Sequence, residues 1–472
     1  MKGVGQAALV ALNRDVGDLQ GQLYRTLRAR ILGGGLPAGA RLPSTRQLAA
    51  SLGVARATVV AAYERLLAEG YVVNAVGKAS RVADIMPPMA PAPRPAAPPA
   101  RAVEPKRAPS RLEPGVPDLS LFPAALWGRL LASQTRHMTP EQLGYGDIFG
   151  EPGLREAILA HISVTRGVVA APEQVVLFPS TRTAMALIAR VVLRRHAAGQ
   201  APVWVEDPAY SSARQIFGAE GGGLVPVPVD SSGLDVERAL GFPAPCLIYV
   251  TPSHQYPTGV TMSLNRRLRL LDVARQSGAV ILEDDYDSEF QFDGRPVAAL
   301  QGIDQADCVA YLGTLSKVLA PGLRLAYAVL PRCLLAEVQQ AVALEGIAVS
   351  THIQAAFLAF LRDGHFGAHI KRMTTHYAAR MAAFRASVGH FCAESIEPGP
   401  GTGGLQLALW FKNQALDDKS VAAALRLRGY APAPLSVMYE GDGRRGLLCG
   451  IAGLPADQAP AAARAIAEQV KI

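Results

Sequence analysis

The chain has 472 residues, more than one hydrophobic core usually serves, so at least two domains are expected. Half of the residues are hydrophobic and 18% charged, which excludes a wholly disordered chain. No apolar run reaches the roughly 18 residues of a membrane span, and Ala7–Leu12 is too short for a secretory segment, so the cytoplasm is expected. Five scattered cysteines without a CxxC pair argue against a disulfide framework or a zinc site, and no metal is expected. The net charge of +8 is uneven: residues 1–82 carry eleven Lys/Arg against four Asp/Glu, and residues 83–112 five against two. The remainder is slightly acidic. A basic head on a near-neutral body fits a polyanion partner or simply a solvated basic face.

Taken in chain order, Leu19, Leu23, Leu27 and Ile31 recur every four residues and predict a first helix that stops at Gly33-Gly34-Gly35. Ser44-Thr45-Arg46-Gln47 reads as a capping box opening a short second helix, Arg46–Ser51, which ends at Gly53. A third helix begins near Ala55, with Val59, Tyr63, Leu66 and Leu67 expected to face inward. Arg56 and Thr58 stay free at its N-terminal end, the end that meets base edges in helix-turn-helix proteins. Gly70–Val73, a turn at Gly77-Lys78 and Ser80-Arg81-Val82 complete a short hairpin, so residues 1–82 read as a winged helix-turn-helix.

The stretches Gly39–Arg46, Leu48-Ala49, Leu52–Val59, Tyr63–Leu66 and Glu69-Gly70-Tyr71 closely resemble the DNA-binding domain of GntR-type transcription regulators. The resemblance implies that Arg46 and Arg56 contact a double-stranded DNA operator. It also implies that Ser44 and Thr58 support them at phosphates and that the Gly77-Lys78 wing enters the minor groove.

Residues 83–112 read as a linker. Nine of the twenty-three residues from Pro87 to Pro109 are proline, which suits an extended, semi-rigid spacer. Beyond it, in residues 113–472, the β-rich runs Val203–Val205, Cys246–Val250, Val280–Leu282 and Val309–Leu312 alternate with helical stretches, which predicts an α/β domain with a mostly parallel sheet. Ligands in such sheets bind beyond the carboxyl ends of the strands. The polar clusters Glu206–Tyr210, Thr251–His254, Glu283–Tyr286 and Gly313–Lys317 all fall there.

A lysine on a turn lined by Gly, Ser and Thr, with Arg324 seven residues on, could hold a phosphorylated carbonyl compound as a Schiff base. An acidic pair after a strand could keep a pyridine nitrogen protonated, and Tyr210 could stack on a flat ring. Taken singly, Lys317 also fits a surface lysine and Tyr210 a core-edge aromatic.

The segments Leu143–Asp147 with Gly153-Leu154-Arg155, Trp204–Pro208, Val250–Gly259, Glu283–Phe290, and Gly313–Lys317 with Ala320–Arg324 resemble fold-type I pyridoxal-phosphate (PLP) enzymes of the aminotransferase class. Within them the chain is similar to the MocR/GabR subfamily of GntR regulators, in which such a domain follows a winged helix. That resemblance implies a fold-type I domain with a smaller C-terminal α+β subdomain, PLP held by Lys317 as an internal aldimine, and a head-to-tail homodimer. Asp284 would pair with the pyridine nitrogen, Tyr286 would bond the phenolic oxygen, and Tyr210 would stack on the ring. Ser180, Thr181, Thr314 and Arg324 would hold the phosphate. His254 fits either a cofactor contact or a packed structural role.

The phosphate turn, Pro179–Thr183, departs from the Ser-Gly-Ala-Gln-Gln more usual in the family. Gly446–Gly450 also offers leucine where many aminotransferases carry a carboxylate-binding arginine, leaving Arg444, Arg445 or Arg182 as substitutes. Two functions are compatible with this pattern. One is a regulator that senses an amine, an amino acid or PLP itself; the alternative is an aminotransferase with turnover that carries a DNA-binding head.

Overall fold

The computed structural model describes residues 12–14, 17–74, 79–84, 110–196, 201–292 and 297–470. The chain divides into two compact units, Met1–Pro105 and Lys106–Ile472. In the first, helices α1 (Leu19–Leu32), α2 (Thr45–Leu52) and α3 (Arg56–Ala68) precede strands β1 (Val72–Val73) and β2 (Arg81–Val82), which pair antiparallel. The helix ends follow local chemistry. Asp18 accepts from the Gly21 N–H at the start of α1, and Ser44 and Gln47 form the capping box of α2. Gly53 closes α2 at φ 64°, a conformation that a side chain would strain.

The head core is formed by Leu23, Leu27, Ile31, Leu48, Val59, Leu66 and their neighbours, with Tyr63 donating to the Pro43 carbonyl. Leu67 departs from expectation and is 39% exposed. Successive helical residues point about 100° apart, so Leu66 takes the inward position and Leu67 is turned away. The predicted wing tip, Gly77-Lys78, lies outside the described residues, as does most of the proline-rich stretch.

The second unit is built on an eight-stranded sheet. Its strands are β3 (Val175–Phe178), β4 (Ala201–Asp207), β5 (Gly222–Asp230), β6 (Gly233–Leu234), β7 (Leu247–Val250), β8 (Val280–Asp285), β9 (Val309–Thr314) and β10 (Ala326–Val329). The order is β3-β10-β9-β8-β7-β4-β5-β6, with β9, β8, β7, β4 and β5 running parallel and β10 antiparallel to both neighbours. Both faces are covered. Val203, Val205, Leu247 and Tyr249 pack into one apolar layer, while Trp204, Ile248 and Val250 pack into the other. That two-sided burial is why these strands read as continuous apolar runs.

A second, antiparallel sheet orders β11 (Ile396–Pro398), β12 (Gln406–Phe411), β14 (Gly446–Gly450) and β13 (Ala433–Pro434). It packs with helices His365–Phe391, Asp418–Leu427 and Ala459–Val470 as the smaller α+β portion. The packing of this unit starts before residue 113. Arg111 bridges to Tyr430, and Leu112, fully buried, bridges to Gly450. A Cβ on Gly450 would lie 2.0 Å from the Glu113 carbonyl oxygen, so only glycine lets this strap cross β14.

Beneath the strand ends, Arg166 donates from Nε to Asp285 Oδ2 at 2.8 Å, and both side chains are almost fully buried. Tyr311 donates to the same carboxylate at 2.6 Å. Removing one partner of a buried pair strands the other charge. Arg166→Met should therefore cost roughly 3–5 kcal/mol of stability, seen as a lower urea midpoint for this unit. A loss below about 0.5 kcal/mol would mean that Tyr311 alone satisfies Asp285.

Candidate functional site

The carboxyl ends of β3, β4, β7, β8 and β9 open onto one cavity of about 430 Å³, whose wall includes Ser180, Thr181, Tyr210, Asp284, Tyr286, Thr314, Lys317 and Arg324. Eight of the nine expected cofactor residues thus meet there, contributed by segments up to 144 residues apart in the chain. The ninth, His254, lies behind Tyr286. Its Nδ1 is 3.1 Å from the Tyr286 hydroxyl and 3.2 Å from Asp287 Oδ1. Burial lowers the imidazole pKa, but the Asp287 carboxylate outweighs it and holds the pKa above the ordinary histidine range.

Asp284 is the polar centre of the floor. Tyr249 donates to its Oδ2 at 2.9 Å, whereas its buried Oδ1 has no partner among the described residues. Burial pushes this carboxyl up to about 7, despite the Tyr249 hydrogen bond. Lys317 faces the same space and donates from Nζ to the Gly115 carbonyl at 2.5 Å. Desolvation lowers its ammonium pKa, against the pull of Asp287 and Asp284.

Around them, Tyr286 accepts from Gln406 Nε2 at 3.3 Å, and Tyr210 and Tyr256 meet edge-on with centroids 5.6 Å apart. Ser180 caps the helix Thr181–Arg194 by accepting from the Thr183 N–H, leaving the first N–H groups of that helix toward the cavity wall. The Thr314 hydroxyl accepts from the Ser316 N–H. Arg324 sits at φ 52°, a left-handed conformation uncommon outside glycine that turns it onto the cavity wall.

A floor carboxylate with an unfilled oxygen, a depressed lysine amine, a helix N-terminus, hydroxyls and an arginine form a donor and acceptor set that fits a phosphorylated pyridine aldehyde. Gly115, Tyr249, Tyr256 and Gln406 had no role read from the sequence, while Ser316 figured there only as part of the lysine turn and Tyr256 only within the stretch Val250–Gly259. Of the three candidate arginines, Arg182 lines the cavity. Arg444 instead pairs with Glu397 and lies over Trp410, and Arg445 donates to the Ala415 carbonyl.

In the head, Arg46 and Arg56 are exposed at the starts of α2 and α3, and Arg56 Nε lies 3.5 Å from Thr45 Oγ1. Thr58 is half-buried in the first turn of α3. The Ser44 hydroxyl is engaged in its helix cap. The α3 N-terminus has no side-chain cap, since Ala55 occupies that position.

Two family models match the chain. Residues 19–82 match the bacterial regulatory proteins of the gntR family, and residues 127–466 match aminotransferase class I and II. The chain is 37% identical over 464 residues to the probable rhizopine catabolism regulatory protein MocR of Rhizobium meliloti, covering 94% of this chain and 92% of MocR. It is 31% identical to the pyridoxine biosynthesis transcriptional regulator PdxR of Corynebacterium glutamicum, with 92% of each covered. Among solved structures, the α-aminoadipate aminotransferase LysN of Thermus thermophilus, complexed with N-(5'-phosphopyridoxyl)-L-leucine, matches 76% of this chain and 92% of LysN at TM-score 0.70 and 25% identity.

A helix-turn-helix head followed by a fold-type I aminotransferase-like domain, a PLP-dependent fold, defines a class of transcription regulator. The chain belongs to the MocR-type GntR regulators within that class. No helix among the described residues is long and apolar enough to cross a membrane.

The floor acid supplies a pH test. Asp284 ionises near 3.8 when unfolded but near 7 when folded, so between those values the folded chain keeps a proton that the unfolded chain has released. Stability therefore falls as pH rises through that window. Asp284→Asn should flatten the fall in thermal midpoint of the cofactor-free protein from about pH 4 to about pH 7. Equal slopes in the two proteins would remove Asp284 from the acids that titrate there.

Proposed function

We propose that this regulator binds PLP in the 430 Å³ cavity through Lys317 and responds to a small amine or amino acid by changing its occupancy of a double-stranded operator. One observation carries the reading: Lys317 and Asp284, whose buried Oδ1 has no partner among the described residues, line the same cavity. When bound, PLP supplies an aldehyde carbon that condenses with a primary amine. Asp284 Oδ1 would accept from the protonated ring nitrogen, with Tyr249 fixing the carboxylate plane. Tyr286, held by Gln406 and His254, would present its hydroxyl to the ring oxygen, and Tyr210 would cover the ring face. The helix start at Ser180-Thr181, with Thr314 and Arg324, would hold the phosphate.

Burial favours the neutral Lys317 amine, which is the nucleophilic form. Its hydrogen bond to Gly115 ties the site to the strap of residues 110–115, the first described residues of this unit. A ligand that takes Lys317 away from Gly115 acts on that strap. Differential affinity for two strap positions is the physical requirement for signalling.

The proline-rich stretch from residue 83 to about 109 would join head 1–82 to the body, whose packing already includes Arg111 and Leu112, in a head-to-tail homodimer working in the cytoplasm. The named roles of MocR and PdxR, rhizopine catabolism and pyridoxine biosynthesis, support a target tied to small-molecule metabolism.

Lys317→Ala should abolish borohydride-trapped cofactor in the full-length protein. Mass spectrometry showing the adduct retained would reassign the lysine. On the head, Arg56→Ala should weaken operator binding by roughly 1–3 kcal/mol and relax preference at one or two base pairs. An unchanged footprint and affinity would place the recognition surface elsewhere.

A further inference from the structure

His254 and Asp287 stand behind the cavity wall rather than on it, and their side chains are buried to 4% and 1% exposure. The His254 Nδ1 is 3.1 Å from the Tyr286 hydroxyl and 3.2 Å from Asp287 Oδ1, while its buried Nε2 has no partner among the described residues. The polar connections of the ring therefore run through Nδ1. Asp287 is fixed in turn, because its Oδ2 accepts from the Leu405 N–H at 3.2 Å. The backbone closes tightly on the pair. A Cβ on Gly404, which sits at φ 73°, would fall 2.5 Å from Asp287 Oδ2 and closer still to the His254 ring.

This geometry settles the direction of one proton. A carboxylate 3.2 Å from Nδ1 requires the proton on that nitrogen, so His254 donates to the Tyr286 oxygen and does not accept from it. Gln406 Nε2 donates to the same oxygen at 3.3 Å. With two donors on the oxygen, the single hydroxyl proton is left for a third direction. Tyr286 lines the cavity, so that direction is the cavity. Without the carboxylate, Nδ1 would be free to accept, and the hydroxyl would turn its proton inward.

We propose that Asp287 and His254 are positioning residues that commit the Tyr286 hydroxyl to donate into the cavity, and so favour a negatively charged ring oxygen on the bound cofactor. Neither residue touches that oxygen; both act through Tyr286. This rests on the PLP reading above. The charged and titratable groups facing the three residues are Asp284 and Tyr256 beside Tyr286, and Glu289 and Lys317 near Asp287. All four stay in place in every variant below.

The test follows the absorbance band of PLP bound to the full-length protein as pH is varied. A hydrogen bond donated to the ring oxygen favours the charge left there when the bound cofactor loses its proton, so it holds the midpoint of the band change low. His254→Leu removes the donor and should raise the midpoint by roughly one pH unit, about a ten-fold change in proton affinity. His254→Asn loses the same ring charge but keeps an N–H near the Nδ1 position, and should reverse about half of that rise or more. Asp287→Asn frees Nδ1 to accept and should also raise the midpoint, although a negative charge has gone. In a Tyr286→Phe background, His254→Leu and His254→Asn should share one midpoint, and Asp287→Asn should bring no rise.

Midpoints that coincide for His254→Leu and His254→Asn with Tyr286 intact would leave the pair a packing role and overturn the proposal. A difference between them that persists without the Tyr286 hydroxyl would mean that His254 acts on the cofactor directly, which also overturns it. Should His254→Leu fail to fold, Asp287→Asn decides alone. A raised midpoint supports the proposal, whereas an unchanged or lowered one, as loss of a nearby negative charge by itself gives, overturns it. Wild-type protein that retains no PLP would instead bring down the cofactor reading, and this proposal with it, a result distinct from the others.

Discussion

Carboxylates buried at the ends of the central strands set the terms for the rest of the body. Glu206 is the last residue but one of β4, while Glu283, Asp284 and Asp285 end β8, and all four are removed from water. A buried carboxylate is costly unless donors surround it. Glu206 is met by the N–H and hydroxyl of Thr251 and by Gln255, and Glu283 by the N–H groups of Leu300 and Gln301. Asp285 is met by Arg166 and Tyr311. Glu206 Oε1 and Asp284 Oδ1 both lack a hydrogen-bond partner among the described residues, but of these four acids only Asp284 lines the cavity. The neighbouring acids are spent on structure, and the exception marks the site.

The same arrangement explains why distant segments must be in place before the cavity exists. Arg166 comes from a helix 119 residues before Asp285 and also reaches Ser253 after β7, so it joins two strand ends beneath the floor. On the other side, the strap of residues 110–115 crosses β14 at Gly450 and brings its carbonyl to Lys317. The site is therefore shared between the large sheet and the segment that begins the body. That sharing joins the Lys317 amine to the body's first described residues through one hydrogen bond.

The head is organised by shorter-range forces. Its caps lie within three residues of the helix ends that they serve, and its core is filled by α1, α2, α3 and the hairpin. Arg46 and Arg56 remain exposed beside an α3 N-terminus that no side chain caps. Those N–H groups and guanidinium groups are available to phosphate and base edges.

What the sequence determined by itself was the local and the periodic. The Ser44–Gln47 capping box, the stop at Gly33 and the apolar strand runs each depend on residues a few positions apart, so each was legible. The acids, hydroxyls and lysine at the strand ends were legible too, because in a parallel sheet the order of strand and helix already sends those ends to one side. Only the tertiary structure decided which side chains meet. Gly115 lies 202 residues from Lys317, Tyr249 lies 35 from Asp284, and nothing in spacing marks Gln406 as a partner of Tyr286. Three arginines were equal on paper until Arg444 went to Glu397, Arg445 to a carbonyl and Arg182 to the cavity wall. Leu67 makes the same point in the head, since periodicity allowed it inward but the core had room only for Leu66. The reason is common to all of them: pattern reports the preference of a residue for burial or turn, whereas partnership depends on where the folded chain returns to itself.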